Sequence, residues 1–133
     1  KPTLFPGVTE LLAAIDRKGL VWGIVTNKPQ EFAEAIAAST PAMARCAIVV
    51  GSRPGVPLKP APDGILRALK ELALKPEQTL YTGDDRRDIE AGKAAGTSTL
   101  LALWGYRPKD ADTSLWAPDF TASSPEDIIR LLP

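Results

Sequence analysis

Three aspartates fall within five residues in the run Tyr81-Thr82-Gly83-Asp84-Asp85-Arg86-Arg87-Asp88. The run follows a short apolar stretch and leads into a helical pattern, so the carboxylates stand where a strand gives way to a helix. Hard oxygen donors at such a junction suit Mg²⁺, which prefers oxygen ligands and bridges readily to a phosphate. Asp84 follows Gly83 directly and can point into the crevice beyond the strand, where it would ligate the metal. Asp88 lies one helical turn further and faces the same way, so it could hold the ion through water. The alternative is that these acids complement the positive end of the helix dipole, and Asp85 in particular suits a helix cap.

Two further groups of polar residues belong with this cluster. Thr26 and Asn27 follow an apolar run, and a hydroxyl beside the free amides of a following helix makes a phosphate cradle; an ordinary cap is the competing reading. Lys28 reads as a solvated surface charge. Lys59 sits in Leu58-Lys59-Pro60-Ala61-Pro62-Asp63, where two prolines stiffen the backbone. Alone it would be a surface lysine. Near carboxylates and a phosphate, a fixed ammonium would neutralise charge and orient a nucleophile. The chain has no histidine and a single cysteine, Cys46. This excludes a Ser-His-Asp or Cys-His mechanism, an internal disulfide and a cysteine-rich zinc site within these residues. Cys46 reads as a small buried hydrophobe, and Trp22, Trp104 and Trp116 as core or interface residues.

The elements that must position these groups alternate. Residues 7–18 carry Val8, Leu11, Leu12 and Ile15 at helical spacing, and Gly19 ends the pattern. Leu20 to Val25 reads as a buried strand of the continuous apolar kind found in parallel sheets. A helix from near Pro29 follows, then a strand from Cys46 to Val50. Residues 62–73 predict a third helix, 79–82 a strand, 87–95 a helix and 99–104 a strand. A polar loop over roughly 105–118 leads to a short strand at 119–121 and a last helix near 125–132, with Ser124 as its cap and Pro125 at its first position. Alternating strands and helices predict an α/β fold with a parallel sheet. In such sheets ligands bind beyond the carboxyl ends of the strands, and Thr26, Asn27, Lys59, Asp84 and Asp88 all fall there.

Sixteen basic residues balance sixteen acidic ones, and 44% of the 133 residues are hydrophobic. No field favours nucleic acid or an anionic membrane. No apolar run approaches the roughly 20 residues of a membrane span. No phosphate-loop or dinucleotide fingerprint is present. The expected setting is cytoplasmic, and the expected architecture a single domain over residues 1–133.

Taken in order, Val25-Thr26-Asn27-Lys28, Lys59-Pro60-Ala61-Pro62 and Gly83-Asp84-Asp85-Arg86-Arg87-Asp88 resemble the second, third and fourth motifs of the haloacid dehalogenase superfamily. Leu4-Phe5-Pro6-Gly7-Val8 is similar to the segment that leads from that family's cap into its core, and Trp104-Gly105-Tyr106 to a strand ending of its phosphoglycolate phosphatase-like branch. The resemblance implies a three-layer Rossmann-like core and Mg²⁺-dependent hydrolysis of a small phosphorylated metabolite. In such enzymes an aspartate attacks phosphorus and the aspartyl-phosphate is then hydrolysed. By the same resemblance Thr26 and the Asn27 backbone would hold phosphoryl oxygens, Lys59 would steady the nucleophile and the phosphate, Asp84 would bind Mg²⁺ and Asp88 would support it.

The family's first motif, Asp-x-Asp-Gly-Thr, is absent from these residues. The resemblance places it ahead of Lys1, with a cap domain after it, and places its strand between those ending at Thr26 and Asp84. The expected core is therefore incomplete, and the fragment inactive alone. Two unpaired strand edges would then favour self-association. Three alternatives stay open: an N-acetylmuramic acid 6-phosphate phosphatase, a phosphomutase of the same superfamily, and a non-catalytic binding module. A signalling receiver domain has the wrong order of acids and lysine.

Overall fold

The computed structural model describes residues 4–105 and 113–133. Tyr106 lies outside them. The described chain alternates as the apolar pattern predicts: α1 (Val8–Arg17), β1 (Ile24–Pro29), α2 (Gln30–Ala38), β2 (Val49–Ser52), α3 (Asp63–Leu72), β3 (Leu80–Gly83), α4 (Arg86–Ala95), β4 (Ser98–Ala102), β5 (Phe120–Ala122) and α5 (Pro125–Leu131). Short 3-10 turns occur at Pro41–Met43 and Pro76–Gln78, and a third, Thr113–Trp116, lies in the segment read as a polar loop. Among the described residues no helix is long and apolar enough to cross a membrane.

The strands pair in parallel, in two ladders rather than one. β1 pairs with β2, and β3, β4 and β5 form the other in that order. The break falls between β1 and β3, where the resemblance puts the absent strand. Period-two alternation then sorts the layers. Leu80 and Leu100 face one way and pack with Leu11 of α1 and Ile128 of α5. Tyr81 faces the other way and packs with Ile65 and Leu69 of α3 and Ala91 and Ala95 of α4. Val25 of β1 joins this second cluster. Helix α3 therefore bridges the break and ties the two ladders into one three-layer α/β unit.

The orientation of the β1 peptides sets which carbonyls face the break. The Trp22 carbonyl accepts from the Ala47 amide, and the Ile24 amide donates to the Ile48 carbonyl. Residues 22 and 24 thus face β2. In a parallel ladder the alternate residues face the other side, so the Val25 carbonyl points into the break.

Several sequence boundaries shift. The first strand starts at Ile24 rather than Leu20 and runs to Pro29, so Thr26 and Asn27 lie within it instead of ending it, between the Val25 and Pro29 pairings where the register against β2 shifts. The second runs over Val49–Ser52 rather than 46–50. The cause is a non-local contact. The Gln30 carboxamide donates to the Val49 carbonyl at 2.8 Å and accepts from the Gly51 amide at 2.6 Å. A side chain on Gly51 would meet the Lys28 carbonyl at 2.7 Å, so only glycine permits this approach. β1 is half-buried to exposed, not fully buried as predicted, because its side toward the break has no neighbouring strand. Cys46 precedes β2 instead of opening it and is half-buried; its thiol donates to the Ile48 carbonyl, and burial pushes its pKa up. Ser124 makes no side-chain cap; the Ser123 amide instead donates to Asp127 Oδ2 at 3.0 Å, with Pro125 at the first helical position as expected.

Ile65 is 2% exposed and sits where α3 meets both ladders. Ile65→Ala should cost about 2–5 kcal/mol. Urea unfolding followed by tryptophan fluorescence and far-UV circular dichroism should keep one coincident transition. Two separated transitions would show that the ladders are not one folding unit.

Candidate phosphate site

The Lys59 ammonium is the centre of the polar cluster. It donates to Asp88 Oδ1 at 2.6 Å, to the Tyr81 phenol oxygen at 3.0 Å and to the Val25 carbonyl at 3.1 Å. An ammonium has three N–H donors, and all three are used. The Tyr81 hydroxyl itself donates to the Val25 carbonyl at 3.2 Å. With Nζ 5.6 Å from the ring centroid, the ammonium lies off the hydroxyl edge rather than over the ring face. The contact is a hydrogen bond, not a cation–π pair.

The backbone that delivers Lys59 is clamped as well. Its amide donates to Asn27 Oδ1 at 3.0 Å, and Asn27 Nδ2 donates to its carbonyl at 3.3 Å. A cis peptide joins Lys59 to Pro60. Asn27 therefore works through its side chain, docking the 53–62 loop onto β1.

The three aspartates separate in role. Asp88 Oδ2 accepts from the amides of Asp84 and Asp85 at 3.1 and 3.3 Å, while its other oxygen holds Lys59. Asp85 is the N-cap of α4 and forms a capping box with Asp88. It accepts from the Arg86 amide at 2.8 Å and from Arg87 Nε at 2.7 Å. Asp84 stands at the carboxyl end of β3, packed against Gly105, where any Cβ would overlap its carboxylate. A Cβ on Gly83 would likewise overlap the Asp88 side chain. Among the described residues no three acidic or thiol side chains converge on one metal position. Asp85 is turned aside by its arginine and Asp88 by its lysine.

Thr26 is half-buried beside this cluster, and its hydroxyl accepts from the Lys28 amide at 3.2 Å. Helix α2 begins at Gln30 with Pro29 as its N-cap, close to the expected start near Pro29. Lys28 is exposed as expected, with Nζ 5.5 Å from the Phe32 ring centroid. Thr26, Asn27 and Lys59 also line a cavity of about 120 Å³ with Arg53, Asp63 and Arg67.

Burial pulls the Lys59 ammonium toward lower pKa, but the Tyr81 oxygen and the Asp88 carboxylate more than offset it, and the group titrates above its usual range. Burial raises the Tyr81 phenol against the opposing pull of Lys59. Burial would raise the Asp85 carboxyl, but Arg87 and the Arg86 amide hold it below its usual range. Both shifts keep Lys59 an ammonium and Tyr81 a neutral phenol at neutral pH.

Sequence reasoning missed Tyr81 as a polar member of the site. A tyrosine in a short apolar strand carries no signal for its hydroxyl. It also read Gly105 only as part of a strand ending; its contact with Asp84 spans two loops.

Residues 1–102 match the family model described as haloacid dehalogenase-like hydrolase. The chain is 38% identical over 128 residues to the N-acetylmuramic acid 6-phosphate phosphatase of Pseudomonas aeruginosa, covering 96% of this chain and 57% of that protein. It is 39% identical over 125 residues to the phosphoglycolate phosphatase of Xanthomonas campestris, covering 94% and 57%. Among solved structures, a haloacid dehalogenase-like hydrolase from Streptococcus pneumoniae superposes with a TM-score of 0.86 at 28% identity, over 97% of this chain and 60% of that one. The chain spans little more than half the length of these proteins.

The Lys59 and Asp88 side chains are 13% and 11% exposed. Asp88→Asn leaves one acceptor oxygen where both ends of the group need one, so an NH₂ must face either the ammonium or the two amides. The expected cost is about 3 kcal/mol, read as a lower urea midpoint at pH 7. Lys59 and Tyr81 both titrate higher in the folded state. Their stabilisation is therefore complete below pH ~10, the unfolded range of these groups, and is lost as pH rises through the folded values. Stability should fall in alkali, and the double variant Lys59→Met/Tyr81→Phe should flatten that fall. An unchanged slope would remove these groups as its cause.

Proposed function

The chain belongs to the haloacid dehalogenase-like hydrolases, and from that premise we propose that it is one portion of a phosphoric monoester hydrolase acting on a small phosphorylated metabolite in the cytoplasm. On this reading the chain supplies phosphate binding and charge neutralisation, and the attacking carboxylate comes from a segment outside these residues. The observation that carries the proposal is the Lys59–Asp88 pair at 2.6 Å, held at the break between β1 and β3 with Asp84 and Thr26 beside it.

Each residue then has a task. The Thr26 hydroxyl donates to a phosphoryl oxygen. Lys59 places positive charge where the phosphoryl group and the attacking carboxylate would repel each other. Asp88 fixes that ammonium and, through the Asp84 and Asp85 amides, the turn that presents Asp84. The donors fit Mg²⁺ in kind, since Asp84 offers a hard carboxylate oxygen at the strand end, and they fit it incompletely. Phosphate, water or the outside segment would complete the set. Bound there, the ion would offset phosphate charge.

The similar proteins are named for two substrates, phosphoglycolate and N-acetylmuramic acid 6-phosphate. We propose phosphoglycolate first and the sugar phosphate second, since the Pseudomonas protein covers as much of the chain at nearly the same identity. The break also leaves backbone groups such as the Val25 carbonyl facing no strand. Without a filling strand, self-association through these edges is the expected behaviour.

Incubated with Mg²⁺ and p-nitrophenyl phosphate, the 133-residue chain should give no turnover; turnover would refute the assignment of the nucleophile to an outside segment. Extended by its natural upstream sequence, it should hydrolyse the ester, and Asp84→Asn should lower kcat/KM by about a hundredfold or more. Wild-type kinetics in that variant would remove Asp84 from the site. Sedimentation velocity of the short chain should show concentration-dependent oligomers that the extended chain lacks.

A further inference from the structure

We propose that Arg53 is a specificity-determining residue: its guanidinium takes the carboxylate of a phosphorylated acid whose phosphate lies at Thr26 and Lys59. The inference rests on the proposed function and narrows it to substrates that carry a second, carboxylate charge.

Arg53 directly follows β2, which ends at Ser52, so it stands at the carboxyl end of the strand beside β1. Ligands of parallel sheets bind along that edge. Arg53 lines the cavity of about 120 Å³ that Thr26 and Lys59 also line. The walls come from β1, β2, the loop after β2 and the start of α3, and none from β3 or α4. A Cβ on Gly64 would meet Val25 at 2.9 Å and Val50 at 3.6 Å, which seats the start of α3 over the β1–β2 ladder. The cavity therefore lies on the β2 side of β1, and a strand filling the break would leave it in place.

The backbone at Arg53 is fixed from both sides. Before it, the Gly51 amide donates to the Gln30 carboxamide at 2.6 Å. After it, Arg53-Pro54-Gly55-Val56 forms a turn closed by the Val56 amide on the Arg53 carbonyl at 3.2 Å. Proline and glycine at the two central positions, with φ 81° at Gly55, are the pattern of a type II turn. The arginine thus leaves a stiff loop rather than a loose one.

Four charged residues line the cavity, Arg53, Lys59, Asp63 and Arg67. Lys59 is paired with Asp88 at 2.6 Å and Arg67 with Glu71 at 3.2 Å. Arg53 is exposed, and among the described residues its guanidinium has neither a hydrogen bond nor an ion pair, to Asp63 or to any other carboxylate. The unengaged cation is therefore the one at the strand end. Its planar fork matches a carboxylate with two parallel hydrogen bonds. The space suits a short chain: about 120 Å³ is the volume of about four waters. Both substrates proposed above are acids, and the smaller, phosphoglycolate, is of that size beyond its phosphate. A carboxylate that takes no part in bond breaking is held alike in substrate and transition state, so its loss acts on KM rather than kcat.

The test compares esters with and without the acid group in the upstream-extended protein. One pair is phosphoglycolate and 2-hydroxyethyl phosphate; the other is N-acetylmuramic acid 6-phosphate and N-acetylglucosamine 6-phosphate. Arg53→Met should lower the ratio of kcat/KM, acid over neutral ester, about thirtyfold, through KM. A ratio lost in the first pair makes the short acid the source of the carboxylate, and in the second the sugar acid. A ratio unchanged in both pairs overturns the proposal. Arg53→Gln gives the same reading if the methionine variant does not fold. If the wild-type extended protein hydrolyses none of these esters, the proposed function fails and the 133-residue chain decides the site by itself. With ¹⁵N-labelled arginine, and the Arg53 Nε signal identified by its loss in Arg53→Met, phosphoglycolate should move that signal and 2-hydroxyethyl phosphate should not. An equal response to the two overturns the carboxylate site.

Discussion

One buried ammonium organises this molecule. Lys59 arrives on a loop, is clamped to β1 through Asn27 and makes its strongest bond to a carboxylate on α4. Burying such a pair carries a large desolvation penalty, and replacing buried ion pairs by apolar residues is often neutral or stabilising. Charge here is not the most stabilising way to hold a loop. What the pair achieves is placement: a cation kept at the strand ends, in a cleft that apolar packing alone would close.

The same constraint explains how the aspartates divide their labour. Asp85 satisfies the first amides of α4 and Asp88 reaches back to the turn, so the helix start is rigid before any ligand arrives. Glycines at 83 and 105 let backbone crowd against Asp88 and Asp84. These are close approaches no larger residue permits, and they leave Asp84 little room to move. On the proposed function such prior fixing is a gain, because donors that need no reorganisation stabilise charge more effectively than mobile ones.

Much of this was legible in the chain. Apolar periodicity together with cap and turn residues predicted the start of each α-helix within a residue or two, since these are local patterns. Asp84, Asp88 and Lys59 stood out because acids after an apolar strand, and a lysine between prolines, are uncommon arrangements with direct chemical readings. The failures were non-local. The β1–β2 pairing slid along because Gln30 bridges Val49 and Gly51, contacts separated by about twenty residues. Sequence also could not show that the Asp88 oxygens meet Lys59 and the Asp84 and Asp85 amides, the first a contact from a distant loop. Tyr81 was invisible as a polar group because sequence cannot say whether a strand tyrosine turns its oxygen to water or to a neighbour.

The break between the ladders has the same origin as the polar cluster. A parallel sheet interrupted between β1 and β3 exposes backbone acceptors at its middle, where an isolated domain would ordinarily bury them. In this chain the Val25 carbonyl is satisfied by a lysine and a tyrosine side chain, the groups that also define the candidate site. Any extended segment that pairs with β1 must compete for that carbonyl with its backbone amide. In doing so it would release one Lys59 donor and the phenol proton toward the strand ends. Closing the sheet and readying the ammonium for an anion would then be one event. On the proposed function, the groups that satisfy the open edge are those the closed site would use.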